Sequence, residues 1–325
     1  MAADLSDLPT AVQVEQAAVR IGHFVRRTPV LASSSLDEAL GARLFFKCEN
    51  FQRGGAFKAR GAFNAVLSLD AERAARGVAT HSSGNHGAAL ALAARQRGIP
   101  ARVVVPADAS AFKRAAIARY GAEVVDCAPG LANREARLAA LLEETGATLV
   151  HPYDDAAVIA GQGTAGMELL EQAGALDMLV VPVGGGGLVS GCALAARAAR
   201  PGIRVVAAEP AGADDCWQSM RSGHRVRLEQ VHTVADGLRA SIGERNWALI
   251  ARLVDEVVRV EEDAIISAMR VAWERLKIVI EPSAAVPLAA ILSGRLPVAG
   301  RRVGLVFSGG NIDLDTLPAL FSRVS

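Results

Sequence analysis

The sequence predicts an α/β protein built on open, mostly parallel sheets covered by helices. Two observations carry this. Short β-branched runs alternate with longer Ala- and Leu-rich segments from residue 43 onward, the pattern of strands joined by covering helices. Polar and glycine-rich clusters follow four of the short runs, at residues 81–87, 184–187, 209–215 and 308–311. Open α/β sheets bind ligands at those carboxyl ends, so the four clusters predict one shared site. A chain of 325 residues is long enough for two domains that each bury a core.

Residues 12–25 carry apolar side chains at helical spacing, and Thr28-Pro29 closes that segment. Residues 43–48 are short, apolar and aromatic, predicting a strand that leads into a glycine-rich loop around Lys58. Helical spacing returns at 62–69. Strands are then predicted at 78–80, 102–105, 123–125, 148–150, 178–183, 203–207, 257–260 and 303–307. Helices are predicted at 88–97, 113–120, 135–144, 167–171, 188–200, 264–277 and 284–292. No internal repeat, low-complexity tract or long linker interrupts the alternation.

Composition narrows the partners. Although 51% of residues are hydrophobic, no apolar run approaches the roughly 20 residues needed to span a bilayer, so no membrane partner is expected. Residues 1–10 carry Asp4 and Asp7 and lack the basic-then-apolar pattern of a secretory signal. A net charge of +1 with interspersed signs offers no footprint for nucleic acid. Cys48, Cys127, Cys192 and Cys216 form no C-x-x-C pair, which argues against a disulfide framework or zinc site and fits a reducing cytoplasm. Small molecules are the expected partners.

Lys58 lies in Asn-Phe-Gln-Arg-Gly-Gly-Ala-Phe-Lys-Ala-Arg-Gly, residues 50–61, and is one of only four lysines beside a majority of arginines. A primary amine forms a Schiff base with a carbonyl, and a guanidinium does not. Ala56, Phe57 and Ala59 would desolvate the amine and lower its pKa. Taken alone, the stretch fits a surface lysine equally well. Gly184, Gly185, Gly186 and Gly187, between a strand and a helix, favour a phosphate cradle over a mere tight turn. No Gly-Lys-Ser/Thr follows, and Val189 or Ser190 stands where a dinucleotide fingerprint needs its third glycine. Ser82, Ser83, Gly84 and Asn85 suit a carboxylate or a phenolic oxygen, and also an ordinary N-cap. His81 and His86 read as packing or orienting groups.

A loop lysine, a phosphate cradle without nucleotide motifs and an anion-binding Ser/Asn turn together suggest pyridoxal phosphate. On these residues the chain resembles the β-family of pyridoxal-phosphate enzymes, the two-domain fold type II typified by tryptophan synthase β. Within it the chain is similar to the serine/threonine dehydratase group, nearest serine racemases and threo-3-hydroxyaspartate dehydratases. The resemblance runs colinearly through Thr28-Pro29-Val30, Phe57-Lys58-Ala59-Arg60-Gly61, residues 82–87, Ile159-Ala160-Gly161-Gln162-Gly163-Thr164, residues 184–187, Ala235-Asp236-Gly237, Glu281-Pro282-Ser283 and residues 308–313. It implies a large cofactor-binding domain, residues 1–74 and 154–325, and a small mobile domain, residues 75–153.

Carried over by position, the resemblance implies that Lys58 holds the cofactor as a Schiff base and accepts a proton on one face. It places Phe57 near the ring, Asn85 on the phenolic oxygen, Gly184 to Gly187 on the phosphate and Ser308 at the pyridine nitrogen. A hydroxyl there leaves the ring a weak electron sink, favouring prompt loss of a β-leaving group. Ser82, Ser83, Gly84, Asn85 and His86 would grip the substrate α-carboxylate, and Ser83 is the acid–base residue of the opposite face in racemases. Glu209, the Ala213 carbonyl and Asp215 match a divalent-metal site suited to Mg²⁺, Ca²⁺ or Mn²⁺, although a solvated acidic loop is the plainer reading of those residues. Arg134 matches a position able to approach a second carboxylate, which would favour 3-hydroxyaspartate over serine or threonine; a helix-surface arginine is the other reading. Three departures stand out: Ala56 where many members carry Ser, Gly54-Gly55 for Thr-Gly, and Ala88 where vertebrate serine racemases carry a nucleotide-site Gln. The last argues against ATP activation. The implied activity is a lyase acting on a β-hydroxy amino acid or a serine racemase, in a cytoplasmic homodimer.

Overall fold

The computed structural model describes residues 8–82 and 84–324. Ten strands are present among them: β1 (Val30–Leu31), β2 (Arg43–Cys48), β3 (Val78–His81), β4 (Ala101–Pro106), β5 (Glu123–Cys127), β6 (Thr148–Leu149), β7 (Met178–Pro182), β8 (Arg204–Pro210), β9 (Glu256–Val260) and β10 (Arg302–Phe307). They form two sheets, a six-stranded one in the order β1-β2-β10-β7-β8-β9 and a four-stranded one in the order β5-β4-β3-β6. Every pairing is parallel except the edge pair β1–β2. The alternation in the sequence thus reports the architecture correctly. β7 is buried at every residue, as expected of a parallel strand covered on both faces.

Three helices meet behind the site: Lys58–Ser68, Ala156–Ala173 and Gly187–Ala199. Their backbones nearly touch. A Cβ on Gly161 would stand 2.6 Å from the Arg60 carbonyl, and one on Gly191 would stand 2.3 Å from the Ile159 carbonyl. Only 167–171 was predicted helical here, and these close glycine contacts let 18 residues, Ala156–Ala173, run as one helix between its neighbours.

The Lys58 segment also needs correction. Lys58 is the first residue of a helix, not a loop residue, because Phe57 already has helical backbone angles. The glycine-rich turn ends at Gly55. One turn of this helix is pinned from beneath by a buried ionic cluster. Arg60 donates to Glu49 at 2.8 Å and to Glu168 at 2.7 Å, and Lys47 donates to Glu168 at 2.6 Å. Arg60, Lys47 and Glu49 are fully buried, so removing one partner would strand a charge at a cost of about 3–5 kcal/mol. The helices Ser34–Leu40, Ala71–Arg76, Asp215–Ser222 and Glu244–Leu253 were not predicted from the sequence. They are short, at six to ten residues each.

Candidate active site

A cavity of about 1070 Å³ is lined by residues that follow β2, β3, β6, β7 and β10. It takes in Phe57, Lys58, Ser82, Gly84, Asn85, His86, Arg134, Gly184, Gly185, Gly186, Gly187 and Ser308. Residues predicted from five distant parts of the chain thus converge on one space. Ser83 lies outside the described residues.

The Lys58 amine donates to the Pro152 carbonyl at 2.7 Å and stands 5.0 Å from the centre of the Phe57 ring. Burial lowers its pKa to about 8, with Glu281 pulling the other way. At pH 7.5 such an amine is about one quarter neutral, against about 0.1% for an unperturbed lysine. The neutral fraction is the nucleophilic one.

The glycine run opens the 13-residue helix Gly187–Ala199, with Gly186 at φ 94 as its cap. The unpaired N–H groups of such a terminus form an anion site. Close approach dictates the residue type here. A Cβ on Gly185 would sit 2.4 Å from the Tyr153 ring, and Asn246 Nδ2 ties the Gly185 and Tyr153 carbonyls together at 2.9 Å each. The cradle is therefore rigid as well as bare of side chains.

Asn85 begins the helix Asn85–Arg97. Its Nδ2 donates to both oxygens of Glu281 at 3.0 and 3.1 Å, and its Oδ1 accepts from Asn311 at 2.9 Å. The amide orientation is thus fixed. Burial, then the charge of Asp236, pushes the Glu281 carboxyl up to about 8. His86 donates Nε2–H to the Val150 carbonyl at 3.1 Å, and burial holds its pKa well below the usual imidazole range. Both facts fit an orienting role. Ser308 is buried, and its carbonyl accepts from the Phe57 N–H at 2.9 Å. The Arg134 side chain is half-buried, with a buried Nε that has no hydrogen-bond partner among the described residues.

The cluster at 209–215 departs from expectation: Glu209, Ala213 and Asp215 do not line the cavity. β8 lies one strand further out, and Asp215 Oδ2 instead accepts from the N–H of Ile242, a wall residue, at 2.8 Å. Glu209 accepts from the N–H groups of Cys216 and Trp217 at 3.0 and 2.8 Å. Burial first, and then the charge of Asp215, hold Glu209 well above the carboxylate range; burial raises Asp215 to about 6. Both carboxylates are desolvated, and among the described residues no group of three or more His, Cys, Asp or Glu side chains gathers there as a metal cluster.

Sequence reasoning missed Glu281 as a functional side chain, although it stands in a recognised motif, and missed His151, Tyr153, Asn246 and Asn311. No periodicity marks these residues. Glu281, His151, Tyr153 and Asn311 lie on segments between elements, and Asn246 in the unpredicted helix Glu244–Leu253.

The geometry fits pyridoxal phosphate: a bare, rigid cradle at a helix terminus, a desolvated lysine and a fixed asparagine amide. The sequence profile of the family described as "Pyridoxal-phosphate dependent enzyme" matches residues 21–309. The chain belongs to that family. It is 51% identical over 311 residues to the serine racemase of Arabidopsis thaliana, covering 94% of each chain. It is 48% identical over 311 residues to the beta-hydroxyaspartate dehydratase of Paracoccus denitrificans, covering 96% of this chain and 99% of that one. Among solved structures, maize serine racemase superposes with a TM-score of 0.94 at 45% identity, covering 97% of this chain and 98% of the other. The family, the fold type and the relationship to both dehydratases and racemases are those the sequence predicted. No helix among the described residues is long and apolar enough to cross a membrane.

Proposed function

We propose that the protein is a pyridoxal-phosphate-dependent dehydratase that removes water from a β-hydroxy amino acid, with 3-hydroxyaspartate preferred over serine or threonine. The products are a 2-oxo acid and ammonia. The observation that carries the substrate preference is Arg134, a cavity-wall guanidinium whose Nε is buried and, among the described residues, without a hydrogen-bond partner. A planar fork in that state suits a second carboxylate.

When bound, pyridoxal phosphate supplies the electron-withdrawing ring that acidifies the amino acid's α-carbon and allows the β-hydroxyl to depart. The chain's own residues do the rest. Lys58 would carry the cofactor and then, as a free amine, take the proton from Cα. Gly184 to Gly187 would hold the phosphate, Asn85 the phenolic oxygen and Ser308 the ring nitrogen, with Phe57 packed beside the ring. The turn 82–86 would bind the α-carboxylate. Residues 75–153 would form the small domain and close over the site, excluding water. The ion pair between Lys113 and Asp236, which joins that segment to the larger one across the cavity, supports this.

Serine racemisation is the second reading, favoured by the 51% identity to the Arabidopsis serine racemase. Ser83 would then exchange the proton on the face opposite Lys58. We also carry forward a divalent cation at Glu209, Ala213 and Asp215, a cytoplasmic location and a homodimer, the last to be tested by sedimentation. The test of the central assignment is Lys58→Ala, expected to abolish both turnover and the visible absorbance of the holoenzyme. Ammonia release by that variant would refute it.

A further inference from the structure

The segment that follows β6 touches the lysine, the glycine cradle and a helix beneath it. The Pro152 carbonyl accepts from Lys58 at 2.7 Å. The Tyr153 ring lies under Gly185, and its carbonyl accepts from Asn246 at 2.9 Å. Asp154 caps the helix Glu244–Leu253, accepting from the N–H groups of Glu244 and Arg245 at 2.9 and 3.0 Å. Three of four consecutive residues are committed to the lysine, the cradle and a supporting helix.

His151 is committed on one side only. Its Nδ1 accepts from the N–H groups of Asp154 and Tyr153 at 2.9 and 3.4 Å, so the proton of the neutral ring sits on Nε2. Among the described residues Nε2 makes no hydrogen bond, and the ring lines the cavity. Burial, with the charges of His81 and Lys58, lowers the pKa of His151 to about 4. The ring is a neutral donor at neutral pH.

Its neighbours have the same character. The His81 ring stands edge-on at 6.2 Å, and burial together with the Arg134 charge lowers its pKa. The wall from Arg134 through His81 to His151 also carries the Glu135 carboxylate, yet among the described residues Arg134 Nε and His81 Nδ1 are buried without a hydrogen-bond partner. With the α-carboxylate assigned to the turn 82–86, such a wall suits a second anionic group.

We propose that His151, through Nε2–H, binds the distal carboxylate of a dicarboxylic hydroxy amino acid together with Arg134. This rests on the dehydratase reading above and deepens it. Serine, which lacks that carboxylate, leaves both donors unpaired, and a site built to hydrogen-bond a group rejects ligands without it.

Two substitutions separate the donor from the tether. His151→Asn keeps an acceptor for the Asp154 N–H and has no donor at the Nε2 position. His151→Gln places a donor there and gives up the acceptor. With the holoenzymes, KM and kcat are measured for L-threo-3-hydroxyaspartate and L-serine, and malonate is titrated as an inhibitor. His151→Asn is expected to weaken malonate, and to raise KM for hydroxyaspartate, about tenfold or more beyond its effect on serine. His151→Gln recovers most of that loss. Equal losses for both substrates, unchanged malonate inhibition, or a Gln variant as impaired as Asn would overturn the inference. Should the wild-type enzyme prefer serine, the hydroxyaspartate preference fails by itself, and malonate still decides His151: tenfold weakening retains the contact, and no change removes it.

Discussion

Substituting Gly185 by alanine tests the phosphate cradle through a single methyl group. The added Cβ would lie 2.4, 2.5 and 2.5 Å from Cγ, Cδ1 and Cδ2 of Tyr153. That is about 1 Å inside ordinary carbon–carbon contact. The ring has little room to yield. Its centre lies 4.6 Å from that of the perpendicular His151 ring, its carbonyl is held by Asn246, and the next residue caps a helix. Overpacking of this kind costs about 1–3 kcal/mol. Because the cradle must deform to relieve it, the cofactor dissociation constant should rise about 5- to 150-fold. The assay is titration of cofactor-free protein with pyridoxal phosphate, followed by the absorbance of the bound form. Gly202→Ala is the control, since no atom lies within 4 Å of its added Cβ. Tyr153→Ala in the Gly185→Ala background should restore part of the affinity. Wild-type affinity in Gly185→Ala, or a loss that Tyr153→Ala leaves untouched, would refute the cradle argument.

Glu281 gives a pH prediction. Its folded-state pKa is raised to about 8, above the usual value of about 4.3, so the folded protein holds the proton over that interval. The contribution to stability is full below the lower value and is lost as pH rises through the upper one. Glu281→Gln should flatten the fall in melting temperature of the cofactor-free protein between about pH 5 and 8; an unchanged slope would assign that fall to other groups. Asp215 gives a metal prediction. Trp217 donates its N–H to Glu209, and its ring is stacked 3.9 Å from the Arg259 guanidinium, so Mg²⁺ at the acidic pair should change tryptophan emission. Asp215→Ala should remove that response, and a response that survives would place the cation elsewhere.

The sheet framework was legible because parallel strands must be apolar along their whole length, and 178–183 and 303–307 announce this without help from the rest of the chain. The candidate cofactor residues, which the structure brings to one cavity, were legible for a different reason. Lys58, Asn85, the four glycines and Ser308 each stand beside a strand end or helix start, where sequence and position are tied. What was not legible depends on distance across the fold. Whether the cluster after β8 reaches the cavity turns on which strand lies between, and sequence order does not state sheet order. Glycines within Ala156–Ala173 look like breakers until the neighbouring backbones are in place. His151 and Tyr153 follow a two-residue strand, and their roles come from what Lys58, Gly185 and Asp154 do around them.

The measurement that bears most directly on the account is release of ammonia and 2-oxo acid from L-threo-3-hydroxyaspartate, L-serine and L-threonine in parallel, with pyridoxal phosphate and Mg²⁺ supplied. The account predicts a strong preference for hydroxyaspartate that collapses in Arg134→Ala. A preference for serine that ignores Arg134, accompanied by D-serine, would contradict it and make the protein a racemase.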